Sequence, residues 1–230
     1  MGTVNGIAGG ELCAHIRIRK NHTRTEVSIS LPRIGIIIGS TRPTRFGDVP
    51  AKWIKEQADA TGTFETEIID LADHPMPFFD DVASNAWAPT QHDSVRAWQE
   101  KIASFDGFIF IVAEYNRSIT AALKNAIDNA YTEWNRKAFG AVAYGAMGGS
   151  RALEHLRTIG IELQMASTRS AVHLAGSDFF KVHPGFGGSG NLDDINGSIG
   201  NSTTAMLDEL AWWVKATRSA RADAALDKAA

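Results

Sequence analysis

The chain has 230 residues, a formal net charge of −3 and a single cysteine, Cys13. Charge this close to balance argues against a general nucleic-acid binder, and one cysteine leaves no internal disulfide framework and fits a reducing compartment. No apolar run approaches the ~20 residues that cross a membrane, and no signal-type apolar segment opens the sequence. The expectation is a cytoplasmic protein with neither a membrane nor a nucleic-acid partner.

Residues 1–31 carry glycines and then a basic stretch through Arg17, Arg19, Lys20 and Arg24, without apolar periodicity. They read as a disordered extension; Glu11 and Glu26 weaken the alternative of a targeting peptide. One domain is expected over residues 32–220, followed by a frayed tail at 221–230.

The domain is organised around RIGIIIGSTRPTRFG, Arg33–Gly47. Ile34, Ile36, Ile37 and Ile38 form the β-branched run of a strand buried on both faces. The run ends at Gly39, and a polar loop through Ser40, Thr41, Arg42, Pro43, Thr44 and Arg45 leads into a helical pattern over residues 47–61. A helix N-terminus offers unpaired N–H groups and partial positive charge, and guanidinium groups add planar forks suited to phosphate oxygens. The loop is therefore a candidate phosphate site, with a solvated surface turn as the other reading. It lacks the Gly-Lys-Ser/Thr of a Walker loop and the spacing of GxGxxG, so it suits one terminal phosphate monoester, such as that of FMN.

Residues 64–71 read as a second strand, ended by Asp70 as a cap. Residues 72–92 form a long connection with Pro75, Pro77, Phe78, Phe79 and Trp87, the composition of a contact surface. A helix over 93–104, a buried strand over 108–113, a polar loop over 114–118 and a helix over 119–131 follow, then a strand over 138–144, a glycine loop over 145–149 and a helix over 151–164. A last strand is expected over 168–174, a mobile loop over 175–200, and a closing helix over 202–218 whose apolar face carries Met206, Leu210, Trp213 and Val214. The alternation describes an α/β sandwich with a doubly wound sheet of about five parallel strands. Ligands of such sheets bind beyond the strands' carboxyl ends, where three loops would share one crevice.

The second loop opens AEYNRSITAALKNAIDNA, residues 113–130. Glu114, Tyr115 and Asn116 follow a buried strand and can present polar groups to a flat heterocycle; Asn116 or Ser118 can equally cap the next helix. The third loop, in YGAMGGSRA from Tyr144, has glycines that let a planar ligand approach the backbone. GGSRA also approximates a nucleophile elbow at Ser150, with Asp178 and His183 following in hydrolase order but closely spaced. Metal chemistry has no cluster to support it.

The three loops in this order resemble the NADPH-dependent FMN reductase family of flavodoxin-like quinone, chromate and azo-compound reductases. The resemblance spans residues 33–174 and implies a flavodoxin-like three-layer sandwich that binds FMN. It implies that Ser40, Arg42 and Arg45 hold the phosphate, that Glu114, Tyr115 and Asn116 lie along the isoalloxazine, and that Tyr144, Gly145, Gly148 and Gly149 flank its other side. It further implies NADPH or NADH as co-substrate, a quinone or similar small electron acceptor in a ping-pong cycle, no catalytic acid or base, and a homodimer or homotetramer. Ala113 stands where the family usually has proline. A non-catalytic electron carrier on the same fold is the alternative within the flavodoxin-like class, and a serine hydrolase lies outside it.

Overall fold

In the computed structural model the isoleucine run becomes β1 (Arg33–Ile38), followed by α1 (Asp48–Ala60) and β2 (Glu65–Asp70). Then come α2 (Asp93–Ala103), β3 (Gly107–Ala113), α3 (Ala121–Asp128), β4 (Ala138–Tyr144) and α4 (Ser150–Glu162). Two short strands, β5 (Ala166–Ser167) and β6 (Val172–Leu174), precede α5 (Gly176–Val182) and α6 (Asn196–Ala229). The structure describes residues 30–229, with side chains to residue 225. Cys13 and residues 1–29 of the extension read over 1–31 lie outside the described residues.

All strand pairs are parallel, in the order β2-β1-β3-β4-β5, with β6 also paired to β4. This is the flavodoxin-like arrangement, with the order reversing between β1 and β3. Every residue of β3 and β4 is buried, and the period of two sends alternate side chains to opposite cores. Ile109, Ile111, Val142 and Tyr144 join Ile34, Ile36 and Ile38 against α1 and α6. Phe108, Phe110, Phe139 and Ala141 pack against α2, α3 and α4. Burying each large apolar side chain contributes roughly 1.5–3 kcal/mol, so the central strands hold the floor of the crevice firmly.

Three expectations change. The last strand is broken: β5 pairs with Ala138 and Phe139, and β6 with Val142, Ala143 and Tyr144. Between them the Thr168 hydroxyl donates to the Ser170 carbonyl at 2.7 Å, and the Arg169 and Ser170 N–H groups donate to the Glu209 carboxylate at 2.7 and 3.0 Å. Local side-chain bonds of this kind take backbone groups out of a ladder. Residues 175–200, expected as a mobile loop, instead form α5, two 3-10 turns (Pro184–Phe186 and Leu192–Ile195) and the first turns of α6. Phe179, Val182, Leu192, Ile195 and Ile199 pin them to the core. The glycines are punctuation in this segment, and the spaced apolar residues decide its fold. The closing helix begins earlier than residue 202 and continues to Ala229; Arg221, read as part of the tail, donates to the Arg136 carbonyl at 2.7 Å and to Asp106 at 3.0 Å.

Candidate cofactor site

At the carboxyl end of β1 the chain turns sharply. Gly39 is hemmed in: a Cβ there would lie 2.9 Å from the Ile111 carbonyl and 3.0 Å from Leu123. Its carbonyl accepts from the Thr120 hydroxyl, and that hydroxyl accepts the Leu123 N–H at 3.0 Å as the N-cap of α3. Thr120 therefore caps α3, in place of Asn116 or Ser118, and ties the first loop to the second.

Among the described residues, the backbone N–H groups of Thr41, Arg42, Thr44, Phe46 and Gly47 donate to no protein acceptor. They surround the start of α1, where the helix dipole favours an anion. Arg42 is exposed, makes no ion pair among the described residues, and rests over the Tyr115 ring at 5.5 Å. Arg45 differs. Its guanidinium is largely buried, donates to Asp48 at 2.7 Å and pairs with Asp70. Burial disfavours its charge, but the bonds and charges of Asp48 and Asp70 outweigh this and hold its pKa above the ordinary value. Asp70 also accepts the Ala72 N–H at 2.9 Å, the strand-end cap expected of it. Arg45 clasps β2 to α1, while Arg42 is free to meet a ligand.

Ser40 is buried and its hydroxyl lies 3.0 Å from that of Tyr115, joining the first two loops. Tyr115 and Ser118 exchange backbone bonds at 2.9 and 3.0 Å. Between them Asn116 and Arg117 take φ values of 49° and 71°, the left-handed pair of a type I′ turn. Asn116 is exposed at the tip of that turn. Strained non-glycine backbone of this kind persists where its surroundings impose it, often beside ligands. Glu114 is turned inward, its side chain only 4% exposed and paired with Arg151, whose N–H it also accepts at 3.2 Å. It locks the second loop to the start of α4.

In the third loop Gly145, Gly148 and Gly149 all have positive φ. A Cβ on Gly149 would come within 2.6 Å of the Tyr144 nitrogen, and one on Gly148 within 2.8 Å of Ala175. Tyr144 is buried against Phe46, edge-on at 5.3 Å, and Phe179, stacked at 6.3 Å. Burial pushes its phenol well above the ordinary value.

The loops enclose a cavity of about 300 Å³. It is lined by Arg42, by Glu114, Tyr115, Tyr144 and Gly145, and by an aromatic group of Phe46, Phe179, Phe180, His183 and Phe186. The structure thus brings Arg42, Glu114, Tyr115, Tyr144 and Gly145 to one cavity, with Ser40 bonded to Tyr115. Ser40, Arg45, Asn116, Gly148 and Gly149 are not in its lining. The aromatic group from α5 and the turn after it has little local signature, because its residues lie far from Phe46 in sequence; the pair Phe179–Phe180 is the one local signal. The hydrolase arrangement is not assembled: the Ser150 hydroxyl donates to the Met147 carbonyl at 3.1 Å, and His183 Nδ1 accepts from Gly185 at 3.0 Å. A polar, N–H-rich end joined to an apolar, aromatic-walled slot fits a molecule with a phosphate at one end and a flat ring system at the other, which FMN is.

The comparisons agree with this chemistry. Residues 32–178 match the model of the family described as NADPH-dependent FMN reductase. The NAD(P)H-dependent FMN reductase of Schizosaccharomyces pombe is 33% identical over 147 residues, covering 62% of this chain and 74% of that protein. A 2-hydroxy-1,4-benzoquinone reductase of a Burkholderia species is 25% identical over 198 residues, covering 81% of this chain and 98% of that protein. Among solved structures, the flavoenzyme NAD(P)H:(acceptor) oxidoreductase FerB of Paracoccus denitrificans superposes with a TM-score of 0.61 at 19% identity, covering 81% of this chain and 99% of that one. This last likeness concerns the fold.

Proposed function

Because the chain belongs to the NADPH-dependent FMN reductase family, an oxidoreductase family using FMN and NAD(P)H, we propose that it reduces a quinone or similar small acceptor by a ping-pong cycle at the cavity described above. Bound FMN would supply the redox chemistry, taking a hydride from NAD(P)H and passing two electrons on to the acceptor. The observation that carries the reading is the unpaired N–H groups around the start of α1, beside an arginine with no ion pair.

In this reading Arg42, the loop N–H groups and the Ser40 region hold the phosphate. Arg45 acts behind them by fixing the loop to β2. The second and third loops bracket the ring system: Tyr115 offers an aromatic surface steadied by Ser40, and the backbone near Tyr144, Gly145, Gly148 and Gly149 comes close because no Cβ intervenes. Asn116 stands exposed at the tip of the turn, outside the cavity lining. Preorganised backbone donors of this sort stabilise charge developing on a bound ring. No side chain is required as acid or base.

The acceptor pocket and oligomer belong to the same proposal. Residues 74–92 are pinned to α3: the Asn125 and Asn129 amides donate to the Pro77 carbonyl at 2.9 and 3.2 Å. Yet Phe78, Val82 and Trp87 stand exposed. An ordered segment with bare aromatic groups is suited to cover a second copy of the chain.

Separated half-reactions test the cycle. Under anaerobic conditions NADPH alone should bleach the flavin absorbance of the loaded protein, and a benzoquinone added afterwards should restore it. Bleaching that requires both substrates together would contradict the ping-pong order, and no bleaching at all would contradict the activity.

A further inference from the structure

The aromatic wall of the cavity contains one ionisable ring, His183, five residues beyond the end of the family match. Its imidazole is held on several sides. It stacks on Phe46 at 4.6 Å with 20° between the planes, and Phe179 meets it edge-on at 5.0 Å. Phe46 is itself part of the loop that follows β1, so the ring is fixed against the phosphate loop rather than merely near it. Nδ1 accepts the Gly185 N–H at 3.0 Å, which puts the proton of the neutral ring on Nε2. Nε2 has no protein partner among the described residues, and His183 lines the same cavity as Arg42.

We propose that His183 donates its Nε2–H to the phosphate of bound FMN, closing from the α5 side a cradle whose other members are Arg42 and the loop N–H groups. The proposal rests on the reading that this loop holds the phosphate. In it residues 175–190 have a purpose beyond packing: the turn that ends α5 carries a phosphate ligand to the crevice.

The assignment predicts a pH dependence. Burial first, and then the charge of Arg42, hold the His183 pKa below its ordinary value. A phosphate dianion beside the ring opposes both effects, so the complex takes up a proton and FMN affinity rises as pH falls. The other charged or titratable groups around the ring are Arg42 and the Arg45–Asp48 pair in the first loop, Tyr115 and the Arg151-paired Glu114 in the second, and Tyr144 on β4. On its own segment they are Asp178 and Lys181, the latter donating to the Asp194 carbonyl at 2.6 Å. Histidine alone among these residue types ordinarily changes charge between about pH 5 and 8.

The test is the ratio of FMN to riboflavin affinity, read by flavin-fluorescence quenching of the full chain from about pH 8 to about pH 6. His183→Phe keeps a ring on Phe46 and removes the donor; it should lower the ratio roughly tenfold near pH 6. His183→Gln keeps a donor that does not titrate; it should hold most of the ratio near pH 8 and lose the rise on acidification. The second ionisation of the free phosphate, near pH 6, is common to every variant, so differences between the profiles report the bound state. Wild-type profiles in both His183 variants, with a lowered ratio in Arg42→Ala, would overturn the His183 assignment and leave the phosphate loop standing. An unchanged ratio in Arg42→Ala as well would remove the loop reading and this proposal together. Should His183→Phe lose riboflavin binding too, His183→Gln decides: a missing acid rise supports the assignment, and a wild-type rise overturns it.

Discussion

Gly149 shows how little room the crevice leaves at single positions. Its φ is +66°, and an added Cβ would sit 2.6 Å from the Tyr144 nitrogen and 2.8 Å from the Ala143 side chain. Gly149→Ala should therefore destabilise the protein by about 1–3 kcal/mol and weaken flavin binding, seen as a lower Tm and a shifted fluorescence titration. Arg45→Ala is expected to act on stability more than on ligand. It leaves the largely buried Asp70 carboxylate without its cation, a loss of about 1–3 kcal/mol in urea unfolding. Its ratio of FMN to riboflavin affinity should fall less than that of Arg42→Ala. Sequence made the polar loop legible because hydroxyls and arginines after a buried strand have few other uses. Sequence also ranks Arg42, before Pro43, above Arg45 as the residue pointing into the site; it does not show the clasp that engages Arg45, since Asp48 is three residues away but Asp70 becomes a neighbour only when β2 lies beside β1. His183 was visible only as a possible member of a hydrolase triad, because what orients it is a stack on a residue far away in the chain.

At the scale of elements, strands and helices with strong periodicity were legible almost to the residue: β4 runs over Ala138–Tyr144 as its apolar pattern implies. The broken strand and the folded 175–200 segment were not, because both depend on contacts with α6 and the core rather than on local preference. Lys137 illustrates a tertiary device of the same kind. Its Nζ donates to the Ile102 and Ala103 carbonyls at 2.8 and 3.1 Å, satisfying the end of α2. Burial, and then the charge of Arg221, lower its pKa from 10.5 to about 8. Between those two values the unfolded chain binds more protons than the folded one, so the contribution of Lys137 to stability grows as pH rises from about 8 to 10.5. Urea unfolding should show wild type gaining on Lys137→Met across that window. A constant difference would mean that the ammonium is not desolvated as its position implies.

For the molecule as a whole, the doubly wound order follows the right-handed crossover rule for parallel strands, and it places the three polar loops at one end of the sheet. That convergence was legible from element order alone. Among the described residues no helix is long and apolar enough to cross a membrane. The bare aromatic groups of residues 74–92 lead us to expect that Trp87→Asp, alone or with Phe78→Asp, shifts a dimer or tetramer towards monomer in sedimentation velocity. An unaltered sedimentation profile would place the interface elsewhere. The claim on which the whole account turns is that the loop after β1 receives the phosphate of FMN through Arg42. The direct measurement is the affinity of wild type and Arg42→Ala for FMN and for riboflavin, which differ by that phosphate. The account predicts stoichiometric FMN binding by wild type and a ratio that falls about ten- to a hundredfold in Arg42→Ala, with riboflavin affinity nearly unchanged. Equal ratios in the two proteins, or a wild type that binds FMN no better than riboflavin, would contradict it.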